Sequence, residues 1–345
     1  MSCPAPADLQ RRDGRLSLLK LLAAFAVVVV HTAMLRVAQG DTQHLGWWLA
    51  NIADAAGHIG SATFALVAGA VLLGRPAEQA PGAFVLGRMR RLLPAVLVWS
   101  AVYFAWRAWG EGQPLSGQRM LRDVVLGMPM YHLWFLFMML AMYCVLPALR
   151  HAVLGLQQHP RNWPHVLWVL ALLTWVVNAL QAWQQVGHSS FVALVPLFVI
   201  YFLAGYYLLR YPLGWSSRQL VLLGGVCVVV MALGTGWLYP RWQDWALMLF
   251  YSNRSPWAMG LALCVFVLML RHAPQQVPPW VHGLGAVTLG VYAMHPLVMA
   301  LLARGGWLLP LGGGGWLLQA VQVYATSLLL ARLLYALPGV RRVVS

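Results

Sequence analysis

Lys20 and His31 stand eleven positions apart in LSLLKLLAAFAVVVVHTAML, residues 16–35, a stretch otherwise apolar and long enough to cross a bilayer. Eleven residues of α-helix advance about 16 Å and turn almost three full times, so the cation and the imidazole share one face, stacked along the axis. Both are costly in hydrocarbon, which directs them toward the interior of a helix bundle. An imidazole lining a cavity there can act as a general base toward a hydroxyl, or as an acyl-accepting nucleophile. The bland use of the same pair is a snorkelling lysine and an interhelical histidine hydrogen bond.

Other side chains could join this chemistry. Arg88, Arg90 and Arg91 lie in RMRRLLP. Arg88 and Arg91 share a face if a helix has begun, while Arg90 points elsewhere. Guanidiniums in such a cluster suit phosphate oxygens, whether of a substrate or of lipid headgroups. Asn51, Asp54 and His58 make a polar opening to the second apolar run, and Asp54 is one of only eight acids, a candidate partner for an imidazole. His132 and Trp134 open the fourth run in YHLWFLF, where a Trp also serves as an interfacial anchor. Tyr292 and His295, three apart in VTLGVYAMHPL, are neighbours on a helix, and the His-Pro step predicts an unpaired carbonyl and a bend. YSNRSP forms a polar outer mouth in which Arg254 binds an anion or snorkels. A donor with phosphates at one end and a thioester at the other fits this layout, with Lys20 and residues 88–91 on the phosphates and His31 at the acyl group.

These residues are set in a chain that is 61% hydrophobic and 9% charged, with a mean hydropathy of +0.70. Such a composition belongs to a polytopic membrane protein and excludes a soluble globular domain. The expected fold is an all-α membrane helix bundle of about ten transmembrane helices, over 16–35, 47–73, 92–109, 131–149, 164–183, 191–209, 219–238, 256–270, 284–303 and 316–337. Residues 1–15 form a short polar arm, 16–337 the membrane domain and 338–345 a basic tail. If the N-terminus is cytoplasmic, fourteen arginines fall in cytoplasmic segments and seven on the other side, so both termini are expected in the cytoplasm. The net charge of +15 is scattered over short loops and matches no nucleic-acid module, which leaves membrane lipids as its partner. The four cysteines (Cys3, Cys144, Cys227 and Cys264) lack disulfide or metal spacing, as do His151, His159 and His165. The first run is too long for a signal-peptide core and is expected to remain as a helix. Asn178 and Gln181 are expected to hydrogen-bond between helices and Pro196 to kink its span.

In their order along the chain these motifs resemble acyltransferase family 3, the membrane O-acyltransferases of bacterial surface glycans. The basic residue, ten intervening positions and histidine of that family's first span match Lys20 and His31. Its basic motif entering the third span matches residues 88–91, its HLWF segment 132–135 and its LGIYxxH segment 289–295. NIADAAGHIGSATF is similar to the branch that acetylates enterobacterial common antigen. The chain departs from the pattern at Ser17, where the family usually has Asp, at Lys20 and His58, where it has Arg, and at Ala62 and Ala68, where it has Pro and Ser. The resemblance implies that His31 is the catalytic residue and that Lys20, Arg88, Arg90 and Arg91 bind acyl-CoA. Asp54, His58, His132, Trp134, Tyr292 and His295 are supporting or acceptor-side candidates.

The expectation is therefore an inner-membrane acyltransferase that takes an acetyl group from acetyl-CoA, a co-substrate rather than a resident cofactor, to a sugar hydroxyl of a lipid-linked or envelope glycan. His31 serves as base or as transient acyl carrier. A transporter or glycan exporter with Lys20 and His31 on its substrate or proton path is the alternative, as is a structural subunit whose polar groups serve packing.

Overall fold

The computed structural model describes residues 13–74, 80–185, 190–309 and 315–345. Expectations for Cys3, Arg11, Arg12, Arg75, Pro76 and most of the arm 1–15 lie outside the described residues. Within them the regular structure is entirely helical.

Helix α1 (Gly14–Val37) is the axis of the bundle. Asp13 caps it, its carboxylate accepting from the Arg15 backbone N–H at 3.0 Å and pairing with the Arg15 guanidinium at 2.7 Å. Beyond that cap α1 is mostly apolar and buries residues on every side, as a central helix must. Helices α2 (Leu45–Gly57) and α3 (Gly60–Leu72) lie against it and together make the second span. The third span is α4 (Pro81–Ala105), closed by a π-helical turn at Trp106–Gly110. It begins eleven residues before the expected start at 92, because Pro81 opens a helix that runs straight through the arginine motif.

The segment 110–130, expected as a loop, contains α5 (Gly117–Leu126). Ser116 caps its start and Gly127, at φ +73°, ends it. Leu121 and Val125 are exposed, and an Arg107–Asp123 ion pair of 2.6 Å pins α5 to the end of α4. Next come α6 (Trp134–Gln158), α7 (Trp163–Trp183), α8 (Val195–Arg210) and α9 (Ser217–Trp242). Pro196 sits in the first turn of α8, where its missing N–H costs nothing, so the expected kink is absent. Asn178 donates to the Leu249 carbonyl at 3.2 Å, joining α7 to the helix that follows α9.

The last third is bent. Helix α10 (Asp244–Tyr251) meets α11 (Pro256–His272) at 41°, and α12 (Pro279–Ala286) meets α13 (Thr288–Arg304) at 56°. The second bend falls at Val287 and not at the His-Pro step, where it was expected: α13 runs unbroken through Pro296. Helices α14 (Gly315–Ala336) and α15 (Arg341–Val344) complete the described chain. Among the described residues eight helical segments, α2 with α3 counted as one, are long and apolar enough to span a membrane, and ten spans result when each bent pair counts as one.

Glycines set how closely the helices approach the centre. A Cβ at Gly57 would lie 2.8 Å from the Val30 side chain, and one at Gly60 2.5 Å from Val27, so the break between α2 and α3 sits directly on α1 beside His31. Helices α3 and α8 touch backbone to backbone: a Cβ at Gly69 would lie 2.1 Å from the Phe202 carbonyl, and one at Gly205 2.0 Å from the Leu66 carbonyl. Gly205→Ala is therefore expected to destabilise the protein by about 1–3 kcal/mol, the usual range for overpacking. Gly225→Ala, with nothing within 4 Å of the new Cβ, should not lower stability. Thermal unfolding of the two detergent-solubilised variants checks the contrast.

Candidate active site

Two cavities open from opposite ends of the bundle. The basic end is the one where α1 starts, and the Gly14 N–H binds the Gln275 carbonyl there at 2.7 Å. At the distal end a cavity of about 770 Å³ is bounded by α1, α2, the start of α6 and the α10–α11 turn. His31 stands in its wall, with Asp54, His58, Tyr131 and Trp134. Polarity at this depth is bearable because these groups face a cavity inside the protein rather than lipid.

The ring of His31 is held from two sides. Tyr131 meets it edge-on, with centroids 5.0 Å apart, and His295 stacks on it at 5.1 Å with planes 23° apart. His295 owes its own orientation to Pro296. A proline there cannot donate to the Tyr292 carbonyl four residues back, and the Nδ1–H of His295 donates to it instead at 2.8 Å. This bond leaves His295 Nε2 as an acceptor, and that atom is buried without a partner. His132 follows in the same run of rings, its centroid 5.3 Å from that of His295. Its Nε2–H donates to the Ala293 carbonyl at 3.1 Å, which also accepts from the Tyr103 hydroxyl at 2.7 Å. The Tyr292 hydroxyl donates to the His132 carbonyl. His31, His295 and His132 thus form a run of rings leading back from the cavity wall, the first pair stacked and the second edge-on. Among the described residues no three His, Cys, Asp or Glu side chains converge to hold a metal ion.

Beside His31 the cavity wall continues as a polar cluster on α2. Asp54 is 0% exposed, and neither of its carboxylate oxygens accepts a hydrogen bond. The nearest nitrogen is His58 Nδ1, 3.3 Å from Oδ1, whose proton goes to the Asp54 backbone carbonyl at 2.7 Å. Tyr251 stacks on His58 at 4.7 Å and donates to the Asn51 carbonyl at 2.9 Å, while Asn51 ties α2 to α9 through the Ala232 carbonyl at 2.8 Å. Arg254 is 2% exposed in the turn between α10 and α11, bonded to Ser252 at 3.0 Å and to the Gln181 side chain. A buried carboxylate with free acceptor capacity and a guanidinium on the same cavity can receive the hydroxyls of a polar ligand.

The second cavity, about 690 Å³, opens at the basic end. Arg91, Tyr143, Arg341 and Arg342 line its mouth, and Phe64, Phe135 and Met139 its floor. No residue lines both cavities, and aromatic rings pack between their linings. Phe135 packs on Phe64 at 6.2 Å, on Tyr292 at 5.8 Å, on Trp134 at 5.7 Å and on Phe198 at 6.3 Å, and the last two rings line the distal cavity.

The family model of acyltransferase family 3, described as an acyltransferase domain, matches residues 13–336. The chain belongs to this family. Comparison with curated proteins and with solved structures returns no match. As a family-3 acyltransferase built from many apolar helices, the protein is a multi-pass membrane O-acyltransferase.

Within the acyltransferase, the sequence candidates divide into three groups. His31, Asp54, His58 and Trp134 share the distal cavity, and Tyr292, His295 and His132 lie behind His31. Arg91 lines the basic-end cavity. Arg88 lies over the Phe84 ring, with Arg91 in electrostatic reach of Tyr143, while Arg90 is exposed. Lys20 is half-buried on α1, lines neither cavity and has no hydrogen-bond or ion-pair partner among the described residues. Ser17, where the family usually has Asp, is hydrogen-bonded to His282 Nδ1 at 2.9 Å and so tethers α1 to α12. Sequence reasoning passed over Tyr131, Tyr251 and Tyr143, although Tyr131 abuts the HLWF motif and Tyr251 opens YSNRSP.

Pro296→Ala restores an N–H that competes with His295 for the Tyr292 carbonyl. Its acyl-transfer turnover is expected to fall roughly tenfold, a fraction of what a positioned base contributes. A thermal-unfolding scan beside the turnover assay separates this loss from misfolding.

Proposed function

We infer that the protein transfers an acetyl group from acetyl-CoA, delivered at a cytoplasmic basic end, to a sugar hydroxyl of a lipid-linked or envelope glycan bound in the distal cavity. The observation that carries the reading is His31, set in the wall of the distal cavity on the same helix that begins at the basic end. Its ring is steadied by Tyr131 and by a His295 whose tautomer is fixed. The anchoring of the donor's phosphates falls to Arg91, with Arg88 and Lys20 adding positive charge along the approach. Arginine-rich segments at that end match the positive-inside rule, which supports a cytoplasmic basic end with both termini inside; the bacterial inner membrane is the location that goes with this reading.

In the transfer, His31 takes the acceptor's hydroxyl proton while the oxygen bonds to the thioester carbonyl carbon. The carbon–sulfur bond then breaks, and the leaving thiolate recovers a proton from the imidazolium. Asp54, His58 and Arg254 offer acceptors and donors for the sugar's other hydroxyls, and Trp134 and Trp245 offer faces for its ring. The thioester reaches His31 only when the Phe135 ring swings out of the partition. The similarity of NIADAAGHIGSATF to the enterobacterial-common-antigen branch points to an acceptor of that glycan class.

His31→Ala is expected to abolish acylation while the protein still inserts and folds, a loss of at least 10²-fold for removal of a positioned base. Mass spectrometry of envelope glycans from cells carrying wild type, His31→Ala or no gene should show the acetyl increment with wild type alone. A correctly inserted His31→Ala protein that restores the increment overturns the assignment.

A further inference from the structure

The chain beyond residue 336 falls outside the span matched by the family model, yet it is built into the basic-end cavity. After α14 it turns through Leu337 and Val340, whose carbonyls accept from Arg341 at 3.1 Å and Val343 at 2.8 Å. It then docks as α15. The Trp99 indole of α4 donates to the Val343 carbonyl at 3.0 Å, and Val344 is fully buried. Its seat is Gly290 on α13, where a Cβ would come within 2.8 Å of the Val344 Cβ. Only a glycine leaves room for this contact. Arg341 is steadied over the Tyr335 ring at 4.3 Å and donates to its hydroxyl.

The docked turn sets Arg341 and Arg342 across the cavity mouth from Arg91, with Tyr143 adding a phenol. No Asp or Glu side chain among the described residues lines this cavity, and its floor is apolar and aromatic. At about 690 Å³ it falls in the usual range for small-molecule sites. Three guanidiniums, with Ser345 beside them, around a mouth that has no Asp or Glu side chain and above an apolar floor suit an amphiphile with a polyanionic head and a neutral arm.

We propose that Arg341 and Arg342 are substrate-binding residues, which complete with Arg91 a phosphate clamp for the donor and leave its acyl arm to the cavity floor. This rests on the acyl-CoA reading given above. The same guanidiniums could instead hold a lipid phosphate, so the experiment separates the two sources. Binding is measured on purified full-length protein in nanodiscs of phosphatidylcholine and, in parallel, of phosphatidylglycerol. Acetyl-CoA is one probe, and S-acetyl-pantetheine, which keeps the thioester but lacks the phosphates and nucleotide, is the other.

Arg341→Gln/Arg342→Gln is expected to raise the acetyl-CoA Kd roughly 10- to 100-fold in both lipids, the loss of two charge-assisted contacts. The Kd of S-acetyl-pantetheine should not change, and Arg341→Lys/Arg342→Lys should recover part of the acetyl-CoA affinity. Equal acetyl-CoA binding by wild type and the Gln variant sinks the clamp and leaves the donor reading standing. An equal loss for both probes marks damage to packing, and a loss confined to phosphatidylglycerol marks a lipid anchor; either result overturns the proposal. Wild type that binds no acetyl-CoA removes the donor reading and the clamp with it.

Discussion

A proline in mid-helix leaves one carbonyl without its donor, and inside a bilayer no water stands by to replace it. In this acyltransferase the orphan is the Tyr292 carbonyl, and the next-door imidazole of His295 takes the vacancy. One hydrogen bond therefore does three things. It keeps α13 continuous, it decides which nitrogen of His295 carries the proton, and it turns that ring so that it stacks on His31. The neighbouring Ala293 carbonyl receives both His132 and Tyr103. The run of rings behind His31 is thus anchored to the backbone of α13 in the turn before the proline.

The second constraint is distance. Helices pack in lipid through close contact rather than expulsion of water, and small residues allow it. Gly57 and Gly60 let the α2–α3 break lie on α1, which brings Asp54 and His58 to the cavity that His31 faces. Gly69 and Gly205 do the same for α3 and α8, and α8 carries Phe198 to the partition between the cavities. Bulk at Gly57 or Gly60 would move His31, Asp54 and His58 relative to one another, because the helices that carry them meet at these contacts.

Much of this architecture was open to inspection in the chain itself. Apolar length alone gave the ten spans, since a segment that must satisfy its own backbone in lipid has little choice but helix. The weakest expectations concerned backbone direction. The bend expected at His295–Pro296 lies instead at Val287, because a side-chain donor repaired the proline's defect and no such repair shows in a residue count. Lys20 and His31 do share a helix, yet only His31 reaches a cavity: a periodic face says which residues are neighbours, not where the hollow lies. Arg91 and Arg341 are 250 positions apart in number, and their meeting depends on Val344 fitting over Gly290, a matter of one absent methyl group. Tyr131 and Tyr251 escaped notice for a different reason. Tyrosine is so common at membrane interfaces that its presence there distinguishes nothing.

A membrane protein hollowed from both ends is one mishap away from becoming a leak. Here aromatic rings packed around Phe135 lie between the two cavities, with no charged group among them. Such a plug presents an ion with pure desolvation cost and nothing to bind in return. The consequence reaches the whole cell: a membrane enzyme with a cavity at each end can keep the ion gradient across its membrane as long as those rings stay in place.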